Sequence, residues 1–164
     1  MKIYTKSGDN LTTSTKIGRV YKSDLIIEVE GCLDEAETTI SLAKANVKDN
    51  EVKDILANLS KELFSFGGDL IGYSVDKITL DNVDKIEKLI DFYQEKLDKV
   101  NDFVTPGETK DGAFIHLARV NVRRLERRVV EYAKEAEVKE ILLQYVNRLS
   151  DLLFTLARWV DLNA

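Results

Sequence analysis

The chain has 164 residues, with 24 Lys plus Arg against 29 Asp plus Glu, one His, one Cys and one Pro. Its length suits one domain with a real core, and 44% apolar with 32% charged residues describes a folded chain. The lone Cys excludes an internal disulfide framework and the lone His a histidine-clustered metal centre, while a net charge of −5 argues against broad nucleic-acid or membrane affinity.

Residues 1–22 have no helical period and contain Ser7-Gly8-Asp9, Thr12-Thr13-Ser14-Thr15 and Gly18. The opening Met1-Lys2-Ile3-Tyr4-Thr5-Lys6 lacks the apolar run of a signal peptide. No apolar stretch reaches the ~18 residues of a membrane span, so the expected location is cytoplasmic. A first helix is predicted from near Ser23 past Leu33, Ala36, Ile40 and Ala43. Its start, Leu25, Ile26, Ile27 and Val29, is apolar on more than one side, which predicts an oligomer. Val52, Ile55, Leu56, Leu59, Leu63, Phe66 and Leu70 step by three and four and predict a second helix. Val83, Ile86, Ile90, Tyr93, Leu97 and Val100 predict a third.

Residues 101–112, with Phe103, Pro106, Gly107 and Gly112, interrupt the pattern. A fourth helix is expected over 113–134 through Leu117, Leu125 and Val129, and a fifth from Val138 through Tyr145 and Leu152 to Trp159. Short links make neighbouring helices antiparallel. The expected fold is therefore all-α: a five-helix up-and-down bundle over 23–163 behind a non-helical loop over 1–22, one domain spanning 1–164.

Five of the eight arginines fall within ten residues: Arg119, Arg123, Arg124, Arg127 and Arg128. Even with Glu126 counted, that window carries +4, so the rest of the chain is −9. Arg119, Arg123 and Arg127 are spaced by four and stack on one helical face, where like charges cost a few tenths of a kcal/mol per pair. Either acidic side chains from other helices or a bound anion must absorb that charge. An interhelical or intersubunit salt-bridge ladder and a phosphate site are equally good readings of the cluster alone.

The N-terminal segment favours the anion. Lys2, Lys6, Lys16, Arg19 and Lys22 oppose only Asp9, and the Thr12–Thr15 run offers hydroxyl and backbone N–H donors. No P-loop pattern is present. A polyphosphate clamped between this loop and the arginine stripe accounts for both basic regions. Asp34-Glu35 could orient an arginine of a neighbouring subunit, Asn147 suits hydrogen bonding to a ribose or base, and His116 reads as a core or supporting histidine. Phe103 is most simply a plug for its loop, and Cys32 a buried small residue.

In order along the chain, these pieces resemble the PduO-type ATP:cob(I)alamin adenosyltransferases. The matching stretches are Ile3-Tyr4-Thr5-Lys6-Ser7-Gly8-Asp9 with Thr12-Thr13, Arg19-Val20-Tyr21-Lys22, and Glu30-Gly31-Cys32-Leu33-Asp34-Glu35. They continue with Leu63-Phe64-Ser65-Phe66-Gly67-Gly68-Asp69-Leu70, Phe103-Val104-Thr105-Pro106-Gly107, His116-Leu117-Ala118-Arg119, Arg123-Arg124-Leu125-Glu126-Arg127-Arg128 and Asn147-Arg148-Leu149-Ser150-Asp151-Leu152-Leu153-Phe154.

The resemblance implies a homotrimer with active sites between subunits. It also implies transfer of the 5′-deoxyadenosyl group from Mg2+-ATP to cob(I)alamin, releasing triphosphate, with no metal-ligating residues required. Carried over, Thr5, Lys6, Ser7, Gly8, Thr13, Ser14 and Lys22 would wrap the ATP phosphates. Arg123 and Arg127 would hold the triphosphate with Glu126 beside them, Arg124 would belong to the same cofactor-binding set, and Asn147 would contact the nucleoside. Arg119 would pair with Asp34 across the interface, and Phe103 would sit on the lower face of the corrin. The product would pass to an adenosylcobalamin-dependent enzyme.

The chain departs from the family pattern at Leu11, where a glycine is usual, and at Glu108, which replaces the second glycine of a Pro-Gly-Gly turn. Glu37 and Leu125 stand where Asn and Ala are usual, and Ser14–Lys22 is one residue short. The alternatives to an enzyme are a carrier or sensor that binds nucleotide or corrinoid, and a structural oligomer whose arginines form a ladder.

Overall fold

The computed structural model describes residues 2–99 and 103–163. Two short strands, β1 (Thr12–Thr15) and β2 (Gly18–Tyr21), precede five helices: α1 (Leu25–Asn46), α2 (Asn50–Leu70), α3 (Leu80–Gln94), α4 (Lys110–Tyr132) and α5 (Glu140–Leu162).

The strands refine the all-α expectation. They form an antiparallel hairpin pairing Thr12 with Tyr21, Thr13 with Val20, Ser14 with Arg19 and Thr15 with Gly18. Three β-branched threonines on β1 favour the extended chain, and only Lys16 and Ile17 separate the paired ends. The shortened Ser14–Lys22 segment thus spans the end of β1, the turn and β2.

The helices begin and end for local reasons. Asp49 and Thr109 cap α2 and α4 by accepting the amides of Val52 and Gly112, and a reciprocal Thr79–Asn82 capping box starts α3. Helix α3 stops at Gln94, short of the stripe expected to continue through Leu97. Lys96 and Leu97 donate instead to carbonyls only three residues back, at Tyr93 and Gln94, which tightens the chain out of the α-helix. Lys96 Nζ lies 3.4 Å from the Phe92 ring centroid, a cation–π contact that covers the helix end. Val100, the last residue of that stripe, lies outside the described residues.

Packing order differs from chain order. Helix α4 runs between α1 and α5 and makes the most extensive contacts with both, while α2 packs on α1 and α3 on α5. The core follows the faces the spacing marked: Val29, Cys32, Ala36 and Ile40 on α1, Val52 through Phe66 on α2, and Leu142 through Ala157 on α5. Gly67 lets α1 and α2 approach closely, because a Cβ there would collide with the Leu33 side chain. On α4 the buried apolar side chains are Ile115, Ala118, Val122, Leu125 and Val129, so the helix turns its arginines away from the core.

Candidate functional site: an arginine stripe and a basic hairpin

The five arginines of α4 divide by face. Arg124 Nη1 and Nη2 bind Glu35 Oε2 and Glu28 Oε1 of α1 at 2.6 and 3.0 Å, and Arg128 Nε lies 3.6 Å from the same Glu28. The salt-bridge ladder is therefore the correct account of Arg124 and Arg128. Arg124, one of the expected cofactor-binding residues, has both ends of its guanidinium engaged by carboxylates.

Arg119, Arg123 and Arg127 face elsewhere. Among the described residues none of the three has a carboxylate within ion-pairing distance. Arg127 Nη1 donates only to the Arg123 carbonyl at 3.0 Å, and both side chains are exposed. Arg119 Nε donates to His116 Nδ1 at 3.2 Å, and its guanidinium lies 5.8 Å from the Phe154 ring centroid. Desolvation, with Arg123 adding like-charge repulsion, lowers the Arg119 pKa below its ordinary value.

His116 is buried and accepts at Nδ1, so its proton sits on Nε2, which has no partner among the described residues. Burial, reinforced by Arg119 and opposed by Asp161, depresses its pKa. The unfolded chain then takes up a proton that the fold refuses. Stability contributed by neutral His116 is complete above about pH 6.5, the ordinary value, and is lost as pH falls below it. Melting temperature is expected to fall from pH 7.5 to about 5.5, and His116→Asn, which keeps an acceptor for Arg119, should flatten that slope. An unchanged slope in the variant would place the acid sensitivity elsewhere.

Asn147 and Glu126 meet from neighbouring helices. Asn147 Nδ2 donates to Glu126 Oε1 at 2.8 Å, while its Oδ1 accepts from Arg148 Nη1 at 2.9 Å. Arg148 in turn reaches Glu87 of α3 at 2.7 Å. This chain of bonds borders a cleft of about 430 Å3 between α3 and α5, whose lining includes Ile90, Asp151, Phe154 and Arg158. Desolvation raises the Asp151 carboxyl above its ordinary 3.8, with Glu126 adding to the rise against Arg148 and Arg123. Phe154 closes the last matching stretch of the sequence, whereas Arg158, four residues on and on the same helical face, carries no motif that marks it.

In the N-terminal segment, Thr5 Oγ1 and Ser7 Oγ hydrogen-bond at 2.8 Å. Lys22 Nζ lies over Gly8, where an added Cβ would approach it to 3.2 Å. Thr13 and Ser14 stand on β1, opposite Val20 and Arg19. Arg19 organises the loop by donating to Thr12 Oγ1 at 3.0 Å, to Asn10 Oδ1 at 3.3 Å and to the Ser7 carbonyl. Lys6 and Leu11 bracket this loop with φ of +60° and +69°. Leucine is strained there and glycine would not be. Leu11→Gly is therefore expected to slow exchange of the Lys22 amide, which donates to the Leu11 carbonyl, by about fivefold, or ~1 kcal/mol. Unchanged exchange would show the leucine conformation to be unstrained.

The hairpin and the stripe do not meet within one chain: among the described residues the strands pack only on each other. Asp34, exposed on α1, is likewise not paired with Arg119 in the chain. Phe103 is fully exposed on its loop rather than acting as a plug. Gly107 alone supplies the positive φ of the turn, +91°, so Glu108 needs no glycine conformation. Among the described residues, no His, Cys, Asp or Glu group of three is placed to hold a metal ion, and no helix is long and apolar enough to cross a membrane.

The class is thus a helical bundle with three arginines that have no acidic partner among the described residues and a second basic region on an exposed hairpin. Residues 3–160 match the Cobalamin adenosyltransferase family. The chain is 39% identical to the corrinoid adenosyltransferase of Bacillus subtilis over 98% of its own length and 87% of that protein's. It is 35% identical to the corrinoid adenosyltransferase PduO of Salmonella typhimurium, of which it spans about half, 51%. A variant PduO-type ATP:corrinoid adenosyltransferase from Lactobacillus reuteri, complexed with cobalamin and ATP, superposes with a TM-score of 0.92 at 28% identity, covering 98% of this chain and 91% of that one. Another variant from that organism, complexed with ATP, gives 0.91 at 29% identity, with 98% and 94% covered. The chain belongs to the cobalamin adenosyltransferase family.

Proposed function

We propose that the protein transfers the 5′-deoxyadenosyl group from ATP to cob(I)alamin. The observation that carries this reading is the pair Arg123 and Arg127, exposed on one face of α4 and without carboxylate partners among the described residues, in a chain whose net charge is −5. Cobalt(I) attacks C5′, the C5′–O bond breaks, and its electron pair leaves with triphosphate. Cobalt is the nucleophile, so the protein's work is to align two substrates and stabilise charge growing on the leaving group. Exposed guanidinium groups spaced by one helical turn suit that charge. ATP enters as its Mg2+ complex, with the ion on phosphate oxygens.

The site closes between subunits of a homotrimer in this reading. Thr5, Lys6, Ser7, Gly8, Thr13, Ser14 and Lys22 of one subunit meet Arg123 and Arg127 of the next, and Arg119 pairs with Asp34 across the same interface. Separation of the two basic regions within one chain supports this arrangement, as do the exposed apolar side chains Ile3, Tyr4, Ile17 and Tyr21. Asn147, bonded to Glu126, faces the nucleoside, and Phe103 covers the lower face of the corrin. The protein would act in the cytoplasm and hand adenosylcobalamin to an enzyme that uses it.

An anaerobic assay with Mg2+-ATP and chemically reduced cob(I)alamin tests the reaction through the absorbance change on cobalt–carbon bond formation. Turnover with stoichiometric triphosphate is expected. ATP binding without turnover would instead identify a carrier or sensor. Light scattering should give a mass of three chains, and a monomer that still turns over would remove the intersubunit site.

A further inference from the structure

The last two turns of α5 grip both ends of the segment that carries Phe103. Arg158 Nη2 donates to the Asp98 carbonyl at 2.6 Å, on the α3 side of the segment. Three residues later, Asp161 Oδ1 accepts the Thr109 amide at 3.0 Å and the Thr109 hydroxyl at 2.6 Å, on the α4 side. Residues three apart share a helical face, so one rigid edge holds both attachments.

The second attachment is built into the start of α4. The Thr109 hydroxyl donates to Asp161 while its oxygen accepts the Gly112 amide at 2.9 Å, so the helix cap and the clamp are one hydrogen-bonded chain. The carboxylate also lies at the positive end of the α4 dipole. Gly112 is required by this arrangement, because a Cβ there would overlap the Asp161 carboxylate. A helix cap alone needs only Thr109, and nothing in helix capping calls for a carboxylate brought from the far end of the chain.

We propose that Arg158 and Asp161 are positioning residues that fix the height and direction of Phe103 by tethering both ends of its segment to α5. This rests on the reading that places Phe103 against the corrin. Phe103 itself is fully exposed, with no packing partner among the described residues to hold it. Orientation must then come from the attachments, and a displacement of about 1 Å at a reacting centre is enough to cost a large factor in rate.

The test is a double-mutant cycle between position 103 and each clamp residue, read on turnover and on the absorption spectrum of cob(II)alamin bound with ATP. Asp161→Ala is expected to lower kcat about tenfold with the KM for ATP unchanged, and to shift the bound cob(II)alamin spectrum in the direction that Phe103→Ala shifts it. Asp161→Asn, which keeps an oxygen for Thr109, should restore most of the rate. In the Phe103→Ala background the same Asp161→Ala change should cost nothing further. A full additional loss in that background would make Asp161 merely structural and overturn the proposal, as would an undiminished rate in Asp161→Ala.

If Asp161→Ala fails to fold, the Arg158→Met cycle with Phe103→Ala decides by the same criterion. Wild-type turnover and spectrum in Phe103→Ala itself would instead overturn the reading of Phe103, which keeps the two failures distinct.

Discussion

Replacing Arg127 with alanine is expected to cut turnover about 100-fold while leaving the melting temperature within a degree or two of the parent. The asymmetry follows from what the side chain touches. Among the described residues its side chain bonds to a carbonyl of its own helix alone, and its guanidinium is exposed. Removing it vacates no core volume and leaves no buried group unpaired, so no mechanism for large destabilisation applies. Relief from its like-charged neighbour four residues away acts, if anything, in the stabilising direction.

In the proposed reaction the same group faces charge that grows on triphosphate, where loss of one well-placed donor costs two to three powers of ten. Arg124→Ala provides the contrast. It breaks the bonds to Glu28 and Glu35 that join α4 to α1, so it should lower the melting temperature by a few degrees and change turnover little. Steady-state kinetics at saturating ATP and thermal unfolding on both variants check the pair. Equal loss of fold in Arg127→Ala would return the whole cluster to a structural ladder.

That contrast also marks how far the amino-acid sequence could be read. Five helices and their buried faces were legible because each stripe steps by three and four over many turns, and a wrong face would leave many apolar residues in water. The division of the arginines was not. Arg123 and Arg124 are adjacent in sequence and about 100° apart around the helix, and which one meets Glu28 and Glu35 depends on how α1 lies against α4. The hairpin was missed because four-residue strands carry too little period to register, although Thr12, Thr13 and Thr15 gave a propensity signal. The Asp161 attachment to Thr109 joins positions 52 residues apart, and nothing local at either end announces it.

Leu11 shows the reverse case. It stood out in the sequence as a departure from a glycine, and its φ of +69° supplies the physical reason that glycine suits the position.

Phe103→Ala is expected to slow adenosylation by about tenfold or more while the KM for ATP stays unchanged. Phe103 is fully exposed, so its truncation costs the fold nothing. Arg123, Arg127 and Asn147, which are proposed to hold ATP, lie on α4 and α5 and are not touched by the change. An apolar ring against the lower face of the corrin would exclude an axial ligand from cobalt. Adding an electron to cobalt(II) is easier without that ligand, because the orbital that receives the electron points at it.

The effect should therefore depend on where the reaction starts. With cob(I)alamin supplied already reduced, Phe103→Ala should show only the part of the deficit that comes from positioning. With cob(II)alamin and a weak reductant, the reduction step joins the rate and the deficit should widen. A loss of equal size in both assays would mean that Phe103 positions the corrin without assisting reduction. Unchanged rates in both would remove it from the mechanism.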